Sequence, residues 1–374
     1  MLYLDHAATT PVRPAVAEAM APFLADRFGN SSGVHSVSRR AKNALEEARE
    51  QAAALIGARP REIVFTGGGT ESDNLALKGV ALAGGNRGGV VTAATEHEAV
   101  LETADFLRRF GCPTGIVGVD PHGLIDPVEL AAAVASDTKV VSVMAANNET
   151  GTIQPLAPLV AAVKAENPRV LFHTDAVQAF AALKIDVDEW AVDLISLSAH
   201  KFGGPQGVGL LFVRSGCVLE PLMHGGGQEL GRRSGTHNVA GAVGMATAME
   251  LATDDRDRFR TDTAEARSHF EAKLSDRAER TVPEDLALPQ HSHLRFDGIN
   301  NETLLVLLDR LGVAASAGSA CASGAATVSH VLEAMGLTPE EARSSLRFSF
   351  GWTSKLSEAE QAAEAVLEAL EGRP

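Results

Sequence analysis

Strand-like runs alternating with alanine-rich amphipathic segments, polar residues closing several of those runs, and a change of texture near residue 250 together predict an α/β protein. The larger part is expected to be built on a mainly parallel sheet and the remainder to be a smaller unit of mixed character. Between about residues 60 and 215 the runs are EIVFT, GVVTAA, TGIVGV, KVVSVMAAN, VLFHTD, DLISLS and GVGLLFV. Such alternation is the signature of βα units, in which parallel strands are joined by covering helices. Four runs close on Thr66, Asn147, Asp175 and Ser198, the last followed by His200 and Lys201. Ligands of open α/β sheets bind beyond the carboxyl ends of strands, so these residues are expected to meet in one cleft. Past residue 250, DDRDRFRTDTAEARSHFEAKLSDRAE reads as a highly charged helix and SEAEQAAEAVLEALE as a final one. A chain of 374 residues exceeds the size at which one core stays single, so a domain boundary is expected near the texture change.

Composition narrows the class. Apolar residues make up 45% and charged residues 22%, as in ordinary globular proteins, and the formal net charge of −15 disfavours general nucleic-acid binding, which needs a basic face. The start, MLYLDHAATTPV, lacks the basic and apolar regions of a secretory signal, and no run of about 18 apolar residues suggests a membrane span. Cys112, Cys217 and Cys321 are too few and too scattered for a disulfide framework or a zinc site. A reducing, cytoplasmic setting without membrane attachment is therefore expected.

Six segments carry chemistry. In TGGGTESDNLALKG (66–79) a strand runs through three glycines into a helix expected to open at Thr70. Backbone N–H groups at a helix start, approached across Gly69, suit a phosphate, although a glycine turn with Thr70 as an ordinary cap fits as well. In LISLSAHKFGG (194–204), Lys201 follows a strand beside Ser198 and His200, a setting that suits covalent chemistry on a carbonyl better than solvent exposure. Asp175 ends the run VLFHTD, with Gln178 one turn on, and serves either as a partner for a ring nitrogen or as a helix cap. An anion cradle, a lysine and a carboxylate are the three requirements of pyridoxal phosphate. His97 in TEHEAV adds an imidazole able to stack and shuttle protons, and Asn148 in NNETG adds a hydrogen-bonding group that also reads as part of a plain turn. Cys321 stands apart: in AASAGSACASGAA (314–326) it has none of the apolar neighbours of a core cysteine, so the stretch reads as a mobile arm carrying a thiol.

The ordered set GGGTES, EHEAV, NNETG, HTDAVQ, SAHK, HGGGQE, RRSGT, SAGSAC and LRFSFG resembles the cysteine desulfurases of the NifS/IscS type, in the class V aminotransferase group. The resemblance runs from YLDHAATTP at residue 3 to residue 351. It implies an α/β fold of the PLP-dependent transferase type, fold type I. A large domain with a mainly parallel seven-stranded sheet, residues 15–250, would bind the cofactor. A smaller α+β domain, residues 1–14 and 251–374, would carry the cysteine loop at about 314–326. It further implies that Lys201 binds pyridoxal 5′-phosphate covalently and removes the substrate Cα proton. Asp175 would pair with the pyridine nitrogen, His97 stack on the ring, Asn148 and Gln178 contact the ring oxygen, and Gly69, Thr70, Ser198 and His200 hold the phosphate. Thr236 would reach the phosphate in a second subunit of a homodimer, Arg347 would grip the substrate carboxylate with Asn30 as a further contact, and Cys321 would take sulfur from L-cysteine as a persulfide. FGNSSGVHS lacks the proline that the family places after the asparagine, and the chain stops 27 residues after Arg347, which bears on the sulfur acceptor, an iron–sulfur scaffold or a tRNA-thiolation enzyme. A selenocysteine lyase or plain aminotransferase would share the cofactor site but give Cys321 no task. A catalytically idle interaction protein would not need Lys201, Asp175 and His97 together.

Overall fold

The structure is a computed structural model that describes residues 1–318 and 328–372. Among these, twelve strands are numbered in chain order: β1 (Leu2–Tyr3), β2 (Ile63–Thr66), β3 (Gly89–Ala93), β4 (Thr114–Val117), β5 (Thr138–Ser142), β6 (Leu171–Asp175), β7 (Leu194–Ser198), β8 (Gly209–Val213), β9 (Glu279–Arg280), β10 (His291–Arg295), β11 (Val313–Ala314) and β12 (Ser345–Ser349). Seven form one sheet in the order β2-β8-β7-β6-β5-β3-β4. All are parallel except β8, which runs against both neighbours.

Period-two geometry gives this sheet two buried faces. Val64, Val90, Val140, Leu194 and Leu211 pack with the helices Gly69–Leu82 and Glu98–Arg109. Phe65, Val91, Val141, Ile195 and Phe212 pack into the larger core with the helices Ser36–Leu55, Leu156–Glu166 and Val239–Asp254. Burial on both sides is why the strands read as nearly continuous apolar runs. A second core gathers Leu4, Phe270, Leu294, Phe296, Phe348 and Phe350 around the antiparallel sheet β12-β10-β9 and the helices Arg256–Leu274 and Leu356–Glu371.

Residues 2–10 form a strap between the two cores. β1 pairs in parallel with β11, Leu2 opposite Val313, and Asp5 bridges to Ser349. The chain then crosses to the main sheet, where Thr10 N–H donates to the His200 carbonyl at 3.0 Å.

Three expectations need correction. The helix after the glycines starts at Gly69 with Gly68 as its cap, because Gly68 adopts φ 151°, a conformation that glycine takes without strain; Thr70 is already inside the helix. Strand β5 stops at Ser142, so Asn147 lies in a turn beyond it: its Oδ1 accepts the Glu149 and Thr150 N–H groups at 2.8 and 3.0 Å. The expected mobile arm is held as far as Gly318. Ala314 lies in β11, and Ser316 exchanges backbone hydrogen bonds with Arg347 at 3.1 and 2.7 Å, so main-chain pairing anchors a stretch that has no large side chains to anchor it. Cys321 lies outside the described residues. Among the described residues, no helix is long and apolar enough to cross a membrane.

Candidate active site

A cleft of about 290 Å³ opens at the carboxyl ends of β6 and β7. Lys201, one turn beyond Ser198, projects into it and donates to the carbonyls of Ala7 and Ala8 at 2.5 and 2.9 Å. Asp175 closes β6; no helix follows, so it is not a helix cap, and its Oδ1 instead accepts Val177 N–H at 2.9 Å. Burial pushes its carboxyl pKa up, opposed by the neighbouring His97, the Val177 N–H and Lys201. A charged partner in the cleft would offset that desolvation. His97 caps the helix Glu98–Arg109, its Nδ1 accepting Ala99 N–H at 3.0 Å. That bond places the ring proton on Nε2 and fixes the plane of the imidazole.

The glycine end of the cleft is formed by Gly69, Thr70, Ser198 and His200. A Cβ at Gly69 would stand 2.9 Å from Val177 Cγ2, and one at Gly209 would stand 2.6 Å from the Gly68 carbonyl carbon, so the backbone lies open there only because both are glycine. His200 Nδ1 meets Thr9 Oγ1 at 3.1 Å, and burial, with the Lys201 charge second, lowers its pKa to about 4. It is therefore neutral at pH 7.

Behind Asp175 lie further buried titratable groups that the sequence did not single out. Asp73, from the second turn of the glycine-led helix, and Glu96 are both pushed well up by burial, with the charge of Asp175 adding to the effect. His173 bridges Ser142 and Ser196 at 2.8 and 2.9 Å, 3.7 Å from Asp73 Oδ1, and burial lowers it to about 3. Of these three buried carboxyls, Asp175 is the one whose burial is opposed by the neighbouring His97 and Lys201.

The facing wall comes from the strap and the second core. Arg347, buried in β12, donates through Nη1 to the Asn148 carbonyl and through Nη2 to Asp5 Oδ1, both at 2.7 Å. Gln178 Nε2 donates to the Ala7 carbonyl at 2.9 Å. Glu149 stands between the chain ends flanking residues 319–327: it accepts from Ser329 Oγ at 2.6 Å, and a Cβ at Gly318 would come within 2.8 Å of its Oε2.

Lys201, Asp175, His97, Asn148, Gln178, Ser198, His200, Gly69, Thr70 and Arg347 thus share one cleft. Asn30 does not join them. It is exposed, and its Oδ1 caps a turn by accepting Ser32 N–H at 3.0 Å. Thr236 is also exposed, outside the cleft of its own chain, on a loop pinned by Glu229. Glu229 takes a bidentate pair from Arg49, both bonds 2.7 Å, and together with Leu230 adopts left-handed φ values of 49° and 58°. Burial raises the thiols of Cys112 and Cys217, the latter to about 11, which suits packing rather than nucleophilic roles. The strap leaves no mark in residue type, because its contacts to Lys201 and Gln178 are main-chain carbonyls.

Comparison with known proteins agrees with this geometry. The family model described as Aminotransferase class-V matches residues 2–361. "Cysteine desulfurase IscS" of Dictyoglomus turgidum is 45% identical over 95% of this chain and 91% of that protein, and its namesake from Methanosarcina thermophila is 41% identical over 98% and 91%. A solved structure titled "NIFS-LIKE PROTEIN" superposes with a TM-score of 0.93 at 38% identity, covering 98% of each chain. The chain belongs to the class-V aminotransferase family, fold type I, and within it to the cysteine desulfurases of the NifS/IscS type.

Proposed function

We propose that this chain is a pyridoxal phosphate-dependent enzyme that converts L-cysteine to L-alanine and leaves the sulfur as a persulfide on Cys321. The observation that carries the reading is the meeting of Lys201, Asp175 and His97 in one cleft opposite Arg347. The residues present fit the cofactor: an amine for its aldehyde, a buried carboxylate for its ring nitrogen, and a glycine-lined helix start for its phosphate. When bound, pyridoxal phosphate supplies an electron sink conjugated to the substrate Cα.

The protein does the rest. Asp175 would pair with the pyridine nitrogen and keep it protonated, His97 would stack on the ring, and Asn148 and Gln178 would contact the ring oxygen. Gly69, Thr70, Ser198 and His200 would hold the phosphate, His200 as a neutral donor. Arg347 holds the substrate carboxylate, and Lys201 Nζ takes the Cα proton. Cys321 Sγ attacks the substrate sulfur; the Cβ–S bond breaks and an S–S bond forms. A thiol and cysteine give a persulfide and alanine, so the exchange needs no external oxidant or reductant.

The pinned loop of Glu229 and Leu230 presents Thr236 outward, which supports a homodimer in which Thr236 serves the partner's phosphate. The two hydrophobic cores support a large cofactor-binding domain, 15–250, and a small one, 1–14 with 251–374. The sulfur acceptor is an iron–sulfur scaffold or a tRNA-thiolation enzyme in the cytoplasm. The deciding experiment supplies L-cysteine and measures alanine and sulfide. Wild-type protein releases both in the presence of a thiol reductant, whereas Cys321→Ser still shifts the cofactor spectrum with L-cysteine yet fails to release alanine. Wild-type turnover by that variant would overturn the persulfide role.

A further inference from the structure

Arg347 is a cation buried to 2% exposure, and its fork is spoken for at two corners. Nη1 is held by the Asn148 carbonyl and Nη2 by Asp5, both at 2.7 Å, while Nε is buried with no partner among the described residues. Among the described residues, Asp5 is the carboxylate that forms an ion pair with Arg347. Asp5 sits on the strap, two residues before Ala7, whose carbonyl takes a hydrogen bond from Lys201. Its own backbone is tied by the bridge to Ser349 and by the Tyr3 hydroxyl, which donates to the Asp5 carbonyl at 3.1 Å. A guanidinium has five N–H donors in one plane, so fixing two corners fixes the direction of the rest. Gly318, Lys201 and Arg347 border the same cleft.

We propose that Asp5 is a positioning residue for substrate: by holding Nη2 of Arg347 it fixes the plane of the fork and turns its remaining N–H groups toward the α-carboxylate of the amino acid. The inference rests on the reading of Arg347 as the carboxylate-binding residue. The opposing physical effect is charge: a second anion on the same guanidinium shares its attraction with the substrate. Orientation outweighs that sharing if a neutral acceptor at position 5 works nearly as well as aspartate.

The test uses the cofactor-loaded protein and two ligands that differ by the carboxylate, L-alanine and ethylamine, each titrated through the visible absorption of the cofactor. Asp5→Ala is expected to weaken L-alanine about tenfold or more, the scale of a lost charge-assisted hydrogen bond, and to leave ethylamine unchanged. In turnover, KM for L-cysteine rises with kcat within about twofold, because the contact serves ground state and transition state alike. Asp5→Asn, which keeps an acceptor oxygen in place, recovers most of the loss. Arg347→Gln is the control for the underlying reading, and unchanged L-alanine affinity in that variant overturns both. Weakening by Arg347→Gln alone, with Asp5→Ala unchanged or tighter, overturns the positioning role and leaves Arg347 standing. If Asp5→Ala fails to fold or to hold cofactor, Asp5→Glu decides: a carboxylate displaced by one methylene weakens L-alanine but not ethylamine, and equal affinity for L-alanine overturns the proposal.

Discussion

The two walls of the cleft are built by different means. The sheet wall takes Asp175, Ser198, His200 and Lys201 from the ends of two adjacent parallel strands and the turn beyond them, where each side chain's place follows from its position in a local pattern. The strap wall takes Asp5, Ala7 and Ala8 from the start of the chain and Arg347 from near its end, joined across 342 positions, and grips Lys201 with backbone carbonyls. One wall is a property of strands, the other of tertiary assembly. The chemical groups are set by the first and their aim by the second.

Substitutions can break or sharpen that contrast. The largest effect belongs to Lys201→Ala, expected to lose the covalent cofactor linkage and to slow alanine release by about 10³-fold or more. Borohydride treatment followed by peptide mapping checks it, since an unchanged adduct at the expected place would remove Lys201 from its role. Next comes Asp175→Asn, for which activity and stability should move in opposite directions. Turnover falls by about 10²-fold with the loss of the ring-nitrogen partner, yet the cofactor-free protein melts no lower than wild type, because burial already disfavours charge at Asp175. Thermal melts of apo and loaded protein separate the two.

On the strap side, Gln178→Leu leaves the Ala7 carbonyl without that donor and should cost about 1–2 kcal/mol of stability. The variant should release cofactor more readily in a dilution assay, with the main sheet intact by far-UV circular dichroism. Lowering the pH compares the walls without mutation. His6 on the strap, and His200 where the sheet wall meets strap residue Thr9, have pKa values lowered to about 4, and His173, under the sheet, to about 3. A histidine depressed in the folded state binds fewer protons there than when unfolded, so stability is full above about 6.5 and falls as pH drops through the folded values. The strap should loosen first, seen as cofactor release between about pH 6.5 and 4, with the sheet following toward about pH 3. Simultaneous loss of both signals would show the walls to be one cooperative unit. The smallest effect is expected from Asp73→Asn: its carboxyl pKa is raised well above normal, so the neutral isostere should change the neutral-pH melting temperature by only a degree or two.

What the sequence revealed follows the same division. Lys201 and Asp175 were legible because strand ends in an α/β sheet point to the ligand and because few cofactors ask for an anion cradle, a lysine and a carboxylate together; His97 was legible by its place after a strand. The parallel sheet was legible because burial on both faces makes its strands continuous apolar runs. Asp5 and the Ala7 and Ala8 carbonyls were not, because an aspartate before two alanines has no periodicity and a carbonyl has no side chain. The start of the glycine-led helix was misplaced by one residue, since whether Gly68 or Thr70 caps it depends on a backbone angle that composition does not encode. Asn30 was expected at the site by resemblance; within its own chain it lies outside the cleft and caps a turn.

The strap also dictates an order of events in biosynthesis. Residues 2–10 find their partners at Gln178, His200 and Lys201, at Val313 and Ala314, and finally at Arg347 and Ser349. Contacts so distant along the chain form late, because the intervening segment must be closed into a loop before they yield anything. A nascent chain can complete the sheet and bury both of its faces while this segment still waits for the final strand to emerge from the ribosome. The cleft is therefore walled on both sides only at the end of synthesis, and a chain cut short before Ser349 would carry the sheet wall with nothing to close over it.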